Sequence, residues 1–176
     1  MSADSLSAPS RIRGLAAAGL ALLLLLGAFY VYGAASDLVS LAGHNLPADH
    51  QGTFATLTGG TFSQVKTANP GIASYITVAE RGYALHELTF ALLFIVLIAI
   101  PFRRRQRWAW WAAWLPMIAN LGYTFTFGIH DHTILTRSLV ADIALPVLLI
   151  AHIPVFTTRN HAERHSGRHP AQAGMP

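Results

Sequence analysis

The sequence contains no cysteine and has few charged residues. The absence of cysteine excludes disulfide bonds, thiolate-bound metals, iron–sulfur clusters and cysteine nucleophiles. Asp, Glu, Lys and Arg together make up 11% of the 176 residues, whereas a soluble domain carries about 25%. Hydrophobic residues make up 53%. This composition predicts a membrane protein, because so few charges cannot cover a water-facing surface in the usual way.

Several motifs that identify enzyme classes are also missing from the sequence. It has no Walker loop, no dinucleotide-binding glycine motif, no nucleophile elbow and no HExxH motif. The net charge of +4 comes from arginines clustered beside apolar runs, a position typical of residues that orient membrane helices. We therefore expect the lipid bilayer as the partner of this chain, and no nucleic acid.

Four apolar runs predict an all-α fold, an integral membrane four-helix bundle with a long extracytoplasmic loop between helices one and two. Each run has roughly the 20 residues that a helix needs to cross the hydrocarbon core. The predicted transmembrane domain covers 14–157, with helices at 14–33, 83–102, 108–128 and 138–157 and the outer loop at 34–82. It lies between an N-terminal segment, 1–13, and a disordered basic tail, 158–176.

The first apolar run allows two interpretations. Small residues from Gly33 to Ser36 offer a site where a signal peptide could be cleaved. A retained anchor is favoured, because the run exceeds the roughly 7–15 residues of a signal-peptide core and ends in interfacial aromatics, Phe29, Tyr30 and Tyr32.

The distribution of basic residues predicts the orientation in the cell membrane. Nine arginines fall on one side of the predicted helices: Arg11, Arg13, Arg103, Arg104, Arg105, Arg107, Arg159, Arg164 and Arg168. Lys66, Arg81 and Arg137 fall on the other. Since basic residues concentrate on the cytoplasmic side, we expect a multi-pass protein with both termini in the cytoplasm.

Most of the acids and histidines outside the tail fall on the predicted outer side. The start of helix two, the end of helix three and the start of helix four meet there in an antiparallel bundle. We expect five side chains to form a pocket: His86, Glu87, His130, His132 and Asp142. The histidines would bind a divalent metal, zinc or copper, or carry protons. Glu87 and Asp142 are the candidate catalytic carboxylates, acting as acid and base.

Each of these residues also has a structural alternative. Glu87 could stabilise the first turn of a helix, and it would share a face with Glu80, seven residues earlier, if that helix begins early. Asp131, in the His-Asp-His turn, is a further candidate for the polar lining of the pocket, or an ordinary turn residue. Asp142 could fix helix packing through a hydrogen bond or ion pair.

Other polar residues lie within the predicted third and fourth helices or in the outer loop. Asn120 and Thr124, spaced i, i+4, are expected to join helices by hydrogen bonds, or to line a polar path below the pocket. His152 is expected to bond a carbonyl freed by a proline or a neighbouring helix. The sequence does not fix where His44, Asp49 and His50 of the outer loop lie.

The segment from Arg103 to Trp114, RRRQRWAWWAAW, follows an apolar helix that ends in IPF. It resembles a pattern in small four-span membrane proteins of high-GC bacteria that have no assigned activity. The resemblance covers helices two and three, and it implies a four-helix bundle without implying any reaction.

These observations predict a membrane protein whose outer-facing pocket binds a divalent metal or a small amphipathic molecule, with acid–base chemistry as an added option. Two alternatives stay open. One is an accessory or assembly subunit of a membrane complex, with polar residues that only hold helices together and other membrane subunits as partners. The other is a proton-coupled carrier that uses Asp142.

Overall fold

The computed structural model describes residues 8–157, with side chains from Gly14 onward, and this part of the chain is all-α. The helices are α1 (Ala8–His44), α2 (His50–Thr58), α3 (Phe62–Ala68), α4 (Pro70–Leu97), α5 (Arg107–Ala112), α6 (Leu115–Tyr123), α7 (His132–Ala151) and α8 (Ile153–Thr157). Two π-helical turns, Ile98–Phe102 and Thr124–Gly128, extend α4 and α6. The predictions for residues 1–7 and for the tail 158–176 lie outside the described residues.

Three helical segments are long and apolar enough to cross a membrane: Gly14–His44, Pro70–Phe102 and His132–Ala151. Many of their large apolar side chains are exposed, such as Leu25, Leu93 and Ile143. A soluble protein rarely exposes so much contiguous apolar surface. The described part of the chain is therefore compatible with a membrane protein, as its composition predicts.

The long helices α1 and α4 pack against each other, and α7 packs on α1. Gly27 is buried at the contact, where an added Cβ would lie 2.6 Å from Cγ1 of Ile95. The absence of a side chain at Gly27 lets the two backbones approach closely. Further along α1, Gly33 lies near Glu87, so α1 and α4 run in opposite directions. Leu23, Phe94 and Leu145 bring the three helices into one buried core.

The predicted third helix, 108–128, is divided in the structure into α5, α6 and a π-helical turn. The first break follows Ala112, and Pro116 lies early in α6. Proline has no backbone N–H and its ring clashes with the carbonyl four residues earlier, which here is that of Ala112. The pieces still pack on the bundle, because Nε1 of Trp110 donates a hydrogen bond of 2.9 Å to the Leu149 carbonyl of α7.

The predicted outer loop, 34–82, is mostly helical. Helix α1 continues without a break to His44, and α4 begins at Pro70 rather than at residue 83. Asn69 caps α4 with its side chain and proline occupies the first turn, which together form a strong start signal. The connection between the two long helices is therefore residues 45–69, which contain α2 and α3. Thr61 and Gln64 form a capping box at the start of α3.

The remaining boundaries also differ from the predicted ones. Helix α7 begins at His132, six residues before the predicted start, and contains Pro146. We call the end of the bundle that carries residues 45–69 the connection end. The opposite end, which carries the exposed residues Arg103, Arg104, Arg105 and Arg107, is the arginine end.

Candidate functional site

A cavity of about 610 Å³ lies at the connection end of the bundle. Its wall is formed by α1, α4, α6, α7 and the start of the 45–69 connection. The lining includes three tyrosines and three acidic residues: Tyr30, Tyr83, Tyr123, Asp37, Asp49 and Glu87. Pockets that hold small molecules have volumes of roughly 300–1,000 Å³ and combine apolar walls with a few polar groups. This cavity has both properties.

Three residues predicted from the sequence line the cavity: His86, Glu87 and Asn120. His86 is exposed, and its Nδ1 lies 2.8 Å from the Gly82 carbonyl of its own helix. One carboxylate oxygen of Glu87, Oε2, is buried without a hydrogen-bond partner. Asn120 donates a hydrogen bond of 2.7 Å to the hydroxyl of Tyr30, which confirms the predicted contact between helices while the same side chain faces the cavity.

The His130–His132 turn lies outside the cavity lining. Asp131 is the N-cap of α7, and its Oδ1 accepts hydrogen bonds from the backbone N–H groups of Thr133 at 2.7 Å and Ile134 at 3.2 Å. His132 is exposed and its Nδ1 lies 3.5 Å from the hydroxyl of Thr136. Asp131 therefore has a structural role that was not predicted, since its carboxylate satisfies the free amides of a helix start.

Replacing Asp131 by alanine should destabilise the protein by about 1 kcal/mol, because two backbone N–H groups of α7 lose their acceptor. Asp131→Asn retains an acceptor oxygen and should lose much less. Thermal unfolding of the purified variants measures both. If the Asp131→Ala variant is as stable as wild type, the capping role is contradicted.

The described residues contain no group of three or more histidine, aspartate or glutamate side chains arranged to hold a metal ion. The predicted zinc or copper ligands, His86, His130 and His132, thus find no support as a metal centre. His86 lies in the cavity wall, whereas the other two histidines lie beside the start of α7.

Asp142 is buried, and its carboxylate does not line the cavity. Its Oδ2 accepts a hydrogen bond of 2.7 Å from the hydroxyl of Thr124, while Oδ1 has no partner. This bond joins α7 to the π-helical turn after α6. The contact matches the predicted packing alternative for Asp142 and the predicted interhelical role of Thr124.

A chain of polar contacts that the sequence did not reveal runs beside the cavity. Nδ1 of His50 lies 2.9 Å from Oε2 of Glu80, and its Nε2 lies 3.3 Å from the hydroxyl of Tyr123. That hydroxyl also donates to Oδ2 of Asp49 at 3.3 Å. Asp49 and Asp37 both line the cavity, and their charges act on each other. The chain therefore connects Glu80 with the cavity wall.

His50 is held by a stacked aromatic ring as well as by polar contacts. It is 2% exposed, and its imidazole stacks on Phe127 with ring centroids 4.5 Å apart. Burial lowers the pKa of His50. The hydrogen bond and charge of Glu80, together with the nearby charges of Asp49 and Asp37, raise it by more than burial lowers it, so the pKa lies above its ordinary value.

The protonated imidazole explains the whole set of contacts at once. With a proton on each ring nitrogen, His50 donates to Glu80 and to the Tyr123 oxygen, and the Tyr123 hydroxyl is free to donate to Asp49. A neutral His50 that donates to Glu80 would instead compete with Asp49 for the Tyr123 proton. The protonation of His50 is therefore linked to a hydrogen bond at the cavity wall.

One sequence signal would have found part of this group. The start signal at Asn69 and Pro70 lengthens α4, and a longer α4 places Glu80, Tyr83 and Glu87 on one face by their spacing of three and four residues. The approach of Asp37 and His50 depends on how residues 45–69 fold back, which no local pattern encodes.

His152 lies away from the cavity, where α7 meets the first half of α1. Its Nδ1 lies 2.7 Å from the Leu148 carbonyl and its Nε2 lies 3.4 Å from the Ala16 carbonyl. Gly19 leaves room for the ring. The predicted bond to a neighbouring helix is confirmed, and the residue belongs to the helix packing.

Comparison with protein-family models, curated protein sequences and solved structures finds no significant match to this chain. The resemblance of residues 103–114 to four-span bacterial membrane proteins therefore gains no support.

Proposed function

We propose that the chain is a multi-pass membrane protein of four spans that binds a small amphipathic molecule in its connection-end cavity. The three long apolar helices would supply three spans, and α5, α6 and the turn that follows would supply the fourth. The arginines at the opposite end favour a cytoplasmic location for that end. The cavity would then face outward from the cell membrane, with both termini inside.

The observation that carries this proposal is the cavity itself, a space of about 610 Å³ walled by four helices and the start of the connection. Aromatic side chains such as Tyr30, Phe90 and Tyr123 offer an apolar surface, and the carboxylates offer fixed polar contacts. A ligand with an apolar body and a polar group matches this wall. His86 and Glu87 lie in the wall and could exchange protons with a bound ligand.

The amphipathic-ligand proposal is favoured over a metal site and over a carrier that uses Asp142. No metal-holding group occurs among the described side chains, and the carboxylate of Asp142 is bonded to Thr124 outside the cavity lining. The accessory-subunit alternative stays a prediction.

The proposal is tested by filling the cavity. Three benzyl compounds of similar size serve as probes: benzyl alcohol, benzyltrimethylammonium and phenylmethanesulfonate. At least one should bind saturably to the purified protein in nanodiscs, as measured by calorimetry. Ala119→Trp, in the cavity wall, should weaken that binding about tenfold or more, since the indole occupies the space.

The matched control is Ile118→Trp, which places the same side chain on the neighbouring exposed position of α6, outside the cavity lining. It should bind the probes as wild type does. Failure of all three probes to bind saturably, or equal binding by the Ala119→Trp variant, would overturn the proposed function.

A further inference from the structure

The wall of the cavity carries three carboxylates, from Asp37 on α1, Asp49 in the connection and Glu87 on α4. Asp37 is only 8% exposed, and it lines the same cavity wall as Asp49. Two ionised carboxylates in one wall repel each other, and burial strengthens the repulsion. The arrangement therefore favours a positive charge between them.

Within the described part of the chain, no salt bridge reaches a cavity carboxylate, and the only one joins His50 to Glu80. The charge of a protonated His50 acts on the cavity carboxylates from behind the wall, but it is shared with Glu80 and does not enter the cavity. Arg137 and His86 do line the cavity, yet both are exposed and neither forms a salt bridge with a cavity carboxylate.

Two carboxylate oxygens also lack hydrogen-bond donors. Oδ1 of Asp49 and Oε2 of Glu87 are both buried without a partner. An unpaired buried acceptor on a charged group is costly, because the group has lost its hydrogen bonds to water without gaining others. A ligand that brings N–H donors or a compact positive charge would remove this cost.

The rest of the wall suits the same kind of ligand. Six aromatic side chains line the cavity: Phe29, Tyr30, Tyr32, Tyr83, Phe90 and Tyr123. The faces of aromatic rings attract ammonium groups, and more strongly where water is excluded. Rings and carboxylates together are the groups that proteins use to bind organic cations.

We propose that the cavity binds an amphipathic organic cation, an amine or quaternary ammonium compound, with its charged group beside Asp37, Asp49 and Glu87 and its apolar part against the aromatic rings. This inference rests on the proposed function and names the class of its ligand. An organic cation fits better than a metal ion, because the described carboxylates and histidines do not converge closely enough to coordinate one.

The three benzyl probes distinguish the charge of the ligand, since they share the aromatic body and differ in the polar group. In nanodiscs of neutral lipid, benzyltrimethylammonium should bind about tenfold or more tightly than benzyl alcohol. Phenylmethanesulfonate should bind more weakly than both, because its sulfonate meets the carboxylates. Neutral lipid prevents the membrane surface from concentrating the cation.

Asp37→Asn and Glu87→Gln remove one charge each from different helices and retain side-chain size. Each should weaken binding of benzyltrimethylammonium about tenfold and change benzyl alcohol binding much less, because the alcohol carries no charge. Asp131→Asn removes a carboxylate charge outside the cavity and is the matched control. Thermal unfolding checks that each variant is folded. If Asp37→Asn does not fold, Glu87→Gln serves as the test.

The outcomes separate the inference from the proposed function. Equal affinity for the three probes, or unchanged cation affinity in the folded carboxylate variants, would overturn the inference and leave the binding cavity in place. If none of the three probes binds saturably, the proposed function itself is overturned.

Discussion

Replacing His50 by leucine is expected to lower the free energy of unfolding by about 2–3 kcal/mol. The substitution removes the partner of Glu80 and leaves that carboxylate, with its side chain 19% exposed, partly buried without its cation. It also removes the donor to Tyr123 and the polar ring stacked on Phe127. His50→Phe keeps a ring at this position without the polar contacts. The decrease in unfolding free energy of this variant therefore measures the contribution of the hydrogen bonds and the charge.

His50 should also make stability depend on pH. The folded chain holds its proton more tightly than the unfolded chain, because the pKa of His50 is raised in the fold. The stabilisation is therefore fully present below the unfolded pKa of about 6.5 and is lost as the pH rises through the higher folded pKa. Wild type should show this loss in its thermal unfolding midpoint, and His50→Gln should lose the part of the pH dependence that His50 contributes.

His86→Gln is the control for the pH experiment, since His86 is exposed and its Nδ1 contacts the Gly82 carbonyl of its own helix. It should leave the pH profile of wild type unchanged. A His50→Gln profile identical to that of wild type would show that His50 does not carry the proton.

Thr124→Val is expected to cost about 2 kcal/mol of stability, although the two side chains have nearly the same shape. The threonine hydroxyl is the donor to the buried carboxylate of Asp142, whose other oxygen has no partner. Valine leaves both oxygens without a donor. Unfolding in mixed detergent micelles measures the loss.

The double variant Thr124→Val, Asp142→Leu removes both members of the pair and should be more stable than the sum of the single changes implies. Thr126→Val is the matched control in the same turn, because the Thr126 hydroxyl is exposed and donates to the Gly122 carbonyl of its own helix. Additive effects at Thr124 and Asp142 would contradict a direct interaction.

The sequence predicts the helical class and the apolar segments well, because both depend on local composition. A run such as Leu22–Leu26 is apolar wherever it lies in the fold. The ends of the helices are harder to predict from the sequence. The 34–82 segment is polar and rich in glycine, yet its capping residues, Asn69 and Thr61, start helices within it.

The candidate site is only partly predictable for a different reason. Glu87, His86 and Asn120 lie near the predicted ends of helices, and their shared location at one end follows from antiparallel packing. Asp37 and Asp49 reach the same cavity through the fold of residues 45–69, which depends on long-range contacts such as that of His50 with Glu80. Spacing in the sequence carries no information about such contacts.

The π-helical turn at Thr124–Gly128 sets the rotational phase between two contact surfaces. Such a turn contains one residue more than an α-helical turn, and one residue corresponds to a rotation of about 100° around the axis. Asn120 and Tyr123 precede the turn and meet the cavity, while Gly128 at its end lies against Leu135 of α7. Shortening the turn by a single residue would swing one surface out of alignment with the other, so ligand contact and helix packing share a common geometric origin.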